Sequence, residues 1–126
     1  MTNSNTNNVR ANALAERLIQ GANALSNFAE GLSDDKWKKP VLEDGRTIGV
    51  VVHHVANVYP LEIELAQILA SGNPITGATM AVVNQMNADH AVEFANVKKY
   101  ETIELLKRNS EVAAEAVRTF TDKELD

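Results

Sequence analysis

Apolar residues recur along most of this chain at spacings of three and four, the period of a helix with one face turned inward. Leu14, Leu18, Leu25, Phe28 and Leu32 form the first such row and predict a helix from about Asn8 to Leu32. Gly21 and Gly31 weaken it locally, and Gly31 is placed to help end it. Ser33 before Asp34-Asp35-Lys36-Trp37 reads as an N-cap opening one short turn, closed before Pro40. Val41 to Arg46 is then a loop, turning at Asp44-Gly45.

Thr47 is a good N-cap, and a second long helix is expected from there to about Ala70, ahead of Ser71-Gly72-Asn73-Pro74. Pro60 lies inside it and predicts a kink or a one-turn break. The β-branched run Ile48 to Val58 would also suit a strand, but no other segment offers it a partner, and the helical spacing continues to Leu69. A shorter helix, about Thr79 to Asn96, sets Met80, Val83, Phe94 and Val97 on one side. The last, about Lys98 to Phe120, carries Ile103, Leu106, Ser110, Ala113, Val117 and Phe120, the seam of a bundle helix. Thr121 and Glu124 have the spacing of a capping box and open a further turn shortly before Asp126, so a final bundle helix is expected to be missing. The pattern as a whole predicts an all-α antiparallel bundle of three main helices plus a shorter one. It forms a single domain over residues 8 to 126, behind a polar tail at residues 1 to 7 that is expected to be disordered.

Composition narrows the function classes. Hydrophobic residues make up 44% of the 126 and charged residues 23%, the balance of a chain able to bury one core. A formal charge of −5 argues against nucleic acid, whose binding needs a concentrated basic face. The one basic cluster, Lys36, Lys38 and Lys39, is interleaved with Asp34, Asp35, Glu43 and Asp44. His53, His54, Asn57, Glu62 and Glu64 interrupt the longest apolar stretch, so no membrane span is expected. The absence of cysteine rules out disulfides and protein thiolates, and with no signal-peptide pattern at the start a cytoplasmic location is expected.

Three histidines are the candidates for metal or proton chemistry. His54 shares a row with Val51, Val58, Leu61 and Leu65 and is expected to point into the bundle; His53 shares a mostly polar row with Gly49, Asn57, Pro60 and Glu64. His54 is either a core histidine bonded to a carbonyl, a side chain or a water, or a metal ligand or base. His90 falls with Met80, Val83, Asn87 and Phe94, facing the same interior space, and Glu93 lies three residues on. Two histidines and a carboxylate can hold a divalent metal with positions open to substrate, which makes His54, His90 and Glu93 the candidate metal ligands. Asp89 and Glu93 also suit a solvated edge. Trp37, the lone tryptophan, is expected to pack the short turn onto the bundle.

The long first helix, Trp37 and Pro40 in the loop, and Thr47-Ile48-Gly49-Val50-Val51-Val52-His53-His54-Val55-Ala56 together resemble the DinB-like superfamily. So do Asn87 to Ala95, Glu101 to Leu106 and the ending at Phe120 to Leu125. The resemblance implies a four-helix bundle, commonly dimeric, with a metal held by three histidines inside one end. It also implies relatives that include thiol-dependent transferases and isomerases such as the mycothiol-dependent maleylpyruvate isomerase family. His54, followed by Val55 and Ala56, matches one ligand; the other two lie on a fourth helix that would follow Asp126, so His90 with Glu93 or a second subunit would supply the rest. The implied function is a metal-dependent, thiol-linked transferase or hydrolase on a small-molecule substrate, or its incomplete remnant, using Zn, Ni, Fe or Mn. The alternative is a non-catalytic bundle that self-associates or binds a small ligand. Without its covering helix, the exposed seam favours a homodimer or higher homo-oligomer.

Overall fold

The computed structural model describes residues 8–126, and the polar tail at 1–7 lies outside them. Six helices follow in order: α1 (Val9–Glu30), α2 (Asp34–Trp37), α3 (Ile48–Ala70), α4 (Met80–Glu93), α5 (Lys99–Arg118) and α6 (Asp122–Leu125). The described residues are all-helical apart from loops and one isolated bridge between Pro40 and Thr47. No helix among them is long and apolar enough to cross a membrane.

Side-chain caps set most of the helix starts, as the sequence implies. Ser33, Thr47, Thr79 and Thr121 each accept a hydrogen bond from a backbone N–H three residues on, and Thr121 with Glu124 closes a full capping box. Such a cap answers one of the four N–H groups a helix start leaves unpaired.

The α5 helix is the axis of the packing, with α1 and α3 both laid against it. Lys99 at its start donates to the Leu32 carbonyl at 2.7 Å, and Arg118 at its end donates to Glu16 at 3.0 Å, so α1 and α5 are antiparallel. Val52 clusters with Ile103, and Ala56 with Leu106, so α3 runs in the same direction as α5. Strict antiparallel order thus fails for this pair. The α4 helix makes the return passage and meets the rest of the molecule mainly along α3.

The seam expected on α5 is the observed one: Ile103, Leu106, Ser110, Ala113 and Phe120 are buried and Val117 is half-buried. On α1 the inward face is instead Ala11, Ala15, Ala22, Ser26 and Ala29. Small side chains let two helices approach closely, and the leucine row lies about a quarter of a turn round the helix from them. Leu25 and Leu32 still border the core, but Leu14 and Phe28 are 51% and 55% exposed.

No break occurs at Pro60; α3 is helical on both sides of it. Proline has no N–H for the carbonyl four residues earlier, which is Ala56. Asn109 of α5 fills that place, its Nδ2 donating to the Ala56 carbonyl at 2.9 Å. A neighbouring helix supplies the bond that proline removes.

Candidate functional site

The site is built where the start of α3 meets the end of α4. Trp37 closes this end of the bundle: it is buried, and its indole Nε1–H donates to the Val97 carbonyl at 2.9 Å. Gly49 makes room for it, since a Cβ there would lie 2.5 Å from Trp37 Cε2. The indole thus ties α2 to the segment between α4 and α5 and leaves α3 close against both.

Within this frame the interior member of the histidine pair is His53, not His54. His53 is 5% exposed and sits among the buried Gly49, Val52 and Ala56, whereas His54 is half-buried. The aliphatic row containing His54 turns toward α4 instead of α5. Hydrophobicity alone misplaced the inward face, because the close approach of α5 and Trp37 is carried by the small residues Gly49 and Ala56.

From α4 comes His90, 8% exposed and the buried residue of that helix. Its Nε2 is 2.8 Å from His53 Nδ1, a hydrogen bond in which one ring donates and the other accepts. Phe94 stacks on His53 with ring centroids 4.1 Å apart, and His54 meets His90 edge-on at 5.5 Å. His90 Nδ1 is buried with no hydrogen-bond partner. Whichever ring donates to the other, this nitrogen keeps an unused N–H or lone pair.

All three imidazoles are held neutral. Burial, then repulsion from the protonated forms of His53 and His54 and from Arg46, pushes His90 down to about 4. Burial is also the main cause that lowers His53, against the opposing pull of Glu93, and lowers His54, with Arg46 adding to it and Glu62 opposing. At neutral pH the cluster is therefore a set of hydrogen-bonding and proton-accepting groups rather than a positive patch.

Two clefts flank the histidines. His53, Glu93 and Phe94 line one of about 410 Å³ together with Glu101 and Arg108. His54 and His90 line the other, a groove of about 260 Å³ between α3 and α4. A larger cleft of about 630 Å³ beside Trp37 and Tyr100 contains no histidine. Of the residues proposed as metal ligands, His54 and His90 come together, while Glu93 is exposed and lines the opposite cleft with His53. Asp89 is at a solvated edge, accepting a hydrogen bond from Gln85.

The arrangement does not fit a three-ligand metal centre. Two ligands at tetrahedral zinc stand about 3.3 Å apart, given bonds of about 2.0–2.1 Å. The His53 and His90 nitrogens are closer than that and engage each other. Among the described residues no group of three His, Cys, Asp or Glu side chains is placed to hold a metal ion. The participation of His53 is what the sequence reading missed; the signal available was the row of small residues, Gly49 and Ala56, at positions −4 and +3 from it.

Compared with protein-family models, characterised proteins and solved structures, the chain matches none.

Proposed function

We propose that this chain is a DinB-like helical-bundle protein that acts on a small molecule at the histidine cluster between α3 and α4. One observation supports the reading above others: His53, His54 and His90 converge from two helices beside a groove, with a buried ring nitrogen left unpartnered. Three neutral imidazoles beside a cleft suit proton transfer to or from a bound nucleophile. His54, half-buried and lining the groove, is the base open to a substrate; it takes the S–H or O–H proton of a thiol or water as that nucleophile adds to an alkene carbon and opens the C=C bond. It then returns the proton to the adjacent carbon, or, on an ester, to the alkoxide expelled as the acyl C–O bond breaks. His90, anchored by His53, orients the His54 ring.

A divalent metal, Zn, Ni, Fe or Mn, belongs to this reading only if it displaces the His53–His90 bond and takes further donors from water or a second subunit. Elemental analysis tests that part: about one ion per chain, lost in His90→Ala, supports it, and metal-free protein of full stability counts against it. The catalytic part is tested by following addition of a small thiol to electrophilic alkenes, and hydrolysis of activated esters, with wild type, His54→Ala and His54→Gln. A loss of about tenfold or more in both variants supports the role of His54; equal rates in all three proteins remove it.

A second reading, a self-associating bundle without catalysis, has its own support in the exposed Leu14 and Phe28 on one flank of α1. Sedimentation separates the two: a homodimer or higher homo-oligomer that is inert toward every thiol and ester supports the second reading.

A further inference from the structure

The groove between α3 and α4 has a polarity gradient along its length. The two helices run antiparallel there, so their lining residues pair in order. His54 meets His90 edge-on, and the lining runs on through Asn57 and Asn87 to Leu61, Leu65, Val83 and Met86. One end is therefore hydrogen-bonding and the other hydrocarbon. The apolar end is not closed by the protein: Leu61, Val83 and Met86 remain substantially exposed although they line a concavity. At the polar end His90 Nδ1 is buried without a partner on a residue that is more than nine-tenths buried. Unpaired buried polar atoms are uncommon in folded proteins and call for a specific partner.

Charge selects the head group. No lysine or arginine lines the groove, and burial disfavours the charged form of both rings. Glu62 lines the same groove and would repel an anion. Arg46 acts on both rings from outside the lining, where its guanidinium is held by Asp44 at 2.9 Å rather than turned to the groove. A cation would have to give up its hydration beside neutral imidazoles and amides, with only the rim carboxylate in compensation. An uncharged hydroxyl both donates and accepts, so it can pair with a neutral imidazole of the lining in either tautomer. A volume of about 260 Å³ suits a single ring or a short chain.

We propose that this groove is a binding site for a small uncharged alcohol or phenol, with its hydroxyl between His54 and His90 and its hydrocarbon among Leu61, Leu65, Val83 and Met86. The inference deepens the small-molecule reading of the cluster by naming the ligand class and where it lies. It requires no catalysis, so an inert protein that binds alcohols defeats the catalytic reading alone, and an active protein with an empty groove defeats this inference alone.

The test is a methyl and imidazole NMR titration of the full chain with 1-hexanol and, separately, hexanoate at neutral pH. The expected result is saturable shifts of the Leu61, Leu65, Val83 and Met86 methyls and of the His54 and His90 ring protons. A dissociation constant of about 1 mM is expected for a molecule of this size, with hexanoate about tenfold weaker or more. Met86→Glu, at an exposed position, should weaken hexanol by about tenfold without altering the helical signal. Val112→Glu, exposed on α5 outside the groove, should leave binding unchanged. Shifts centred on the Trp37 cleft, equal affinity for hexanoate, or unaltered binding by Met86→Glu would each overturn the proposal. Concentration-dependent broadening of the groove methyls before any probe is added would show that a second copy covers the groove, and would overturn it as well.

Discussion

Gly49 and Trp37 show how much one atom decides at this end of the molecule. The indole occupies the space a Cβ at position 49 would need, and its N–H is committed to the Val97 carbonyl. Gly49→Ala should therefore destabilise the protein by about 1–3 kcal/mol through overpacking, although alanine is the better helix former; chemical denaturation measures it, and an unchanged midpoint would contradict the packing. One helical turn along α3 from Gly49, the His53–His90 bond joins α3 to α4 and needs at least one of the two rings neutral to accept. The His90 ring is held at about 4, below its ordinary 6.5, so the unfolded chain takes up a proton that the folded chain refuses between those values. Its contribution is complete above about pH 6.5 and is lost as pH falls toward 4. Wild type should lose stability over that window more steeply than His90→Gln, as read from urea midpoints at several pH values; parallel curves would remove His90 as the cause.

At the scale of elements, α3 depends on a side chain from another helix. Pro60 frees the Ala56 carbonyl, which is buried, and Asn109 of α5 answers it. Asn109→Ala should cost about 1–3 kcal/mol by orphaning that carbonyl. In a Pro60→Ala background the backbone supplies its own N–H, so the same change should cost much less; equal costs in the two backgrounds would show that the amide does not serve the proline. Such a double-mutant cycle isolates the pairwise term. The α5 seam was legible in the sequence because Ile103, Leu106, Ser110, Ala113, Val117 and Phe120 keep an unbroken 3/4 spacing and the helix is packed on two sides. Leu106→Ala, at a fully buried position, should cost about 2–5 kcal/mol in thermal or chemical unfolding; a shift near zero would place that seam outside the core. The α4 helix offered no comparable signal, since His90 is its buried residue and most of its face is open.

Taken whole, the molecule is arranged around α5, with α1 against it in the opposite direction and α3 in the same one. This leaves α1 with more apolar surface than α5 covers, including Leu14 and Phe28. In the self-association reading, replacing both by glutamate should lower the mass in solution and remove any concentration dependence of the melting temperature. A wild type that is already monomeric, or an assembly untouched by the two changes, would move the interface elsewhere. The histidine site belongs to this scale as well, since it exists only where α3 and α4 meet.

The periodicity, the capping residues and the turn residues determined by themselves that the chain is helical, where most of its helices begin, and which face of α5 is buried. These are local properties: a Thr or Ser hydroxyl caps the N–H three residues on, and a regular row of apolar residues has one low-energy side. Tertiary structure decided which faces of α1 and α3 point inward. Close helix contact is set by the smallest side chains on both partners, so Ala22 and Ala29 displaced the leucines, and Gly49 and Ala56 drew His53 inside. The site was decided there too, because the 2.8 Å His53–His90 bond joins residues 37 apart in sequence and depends on how α4 returns along α3.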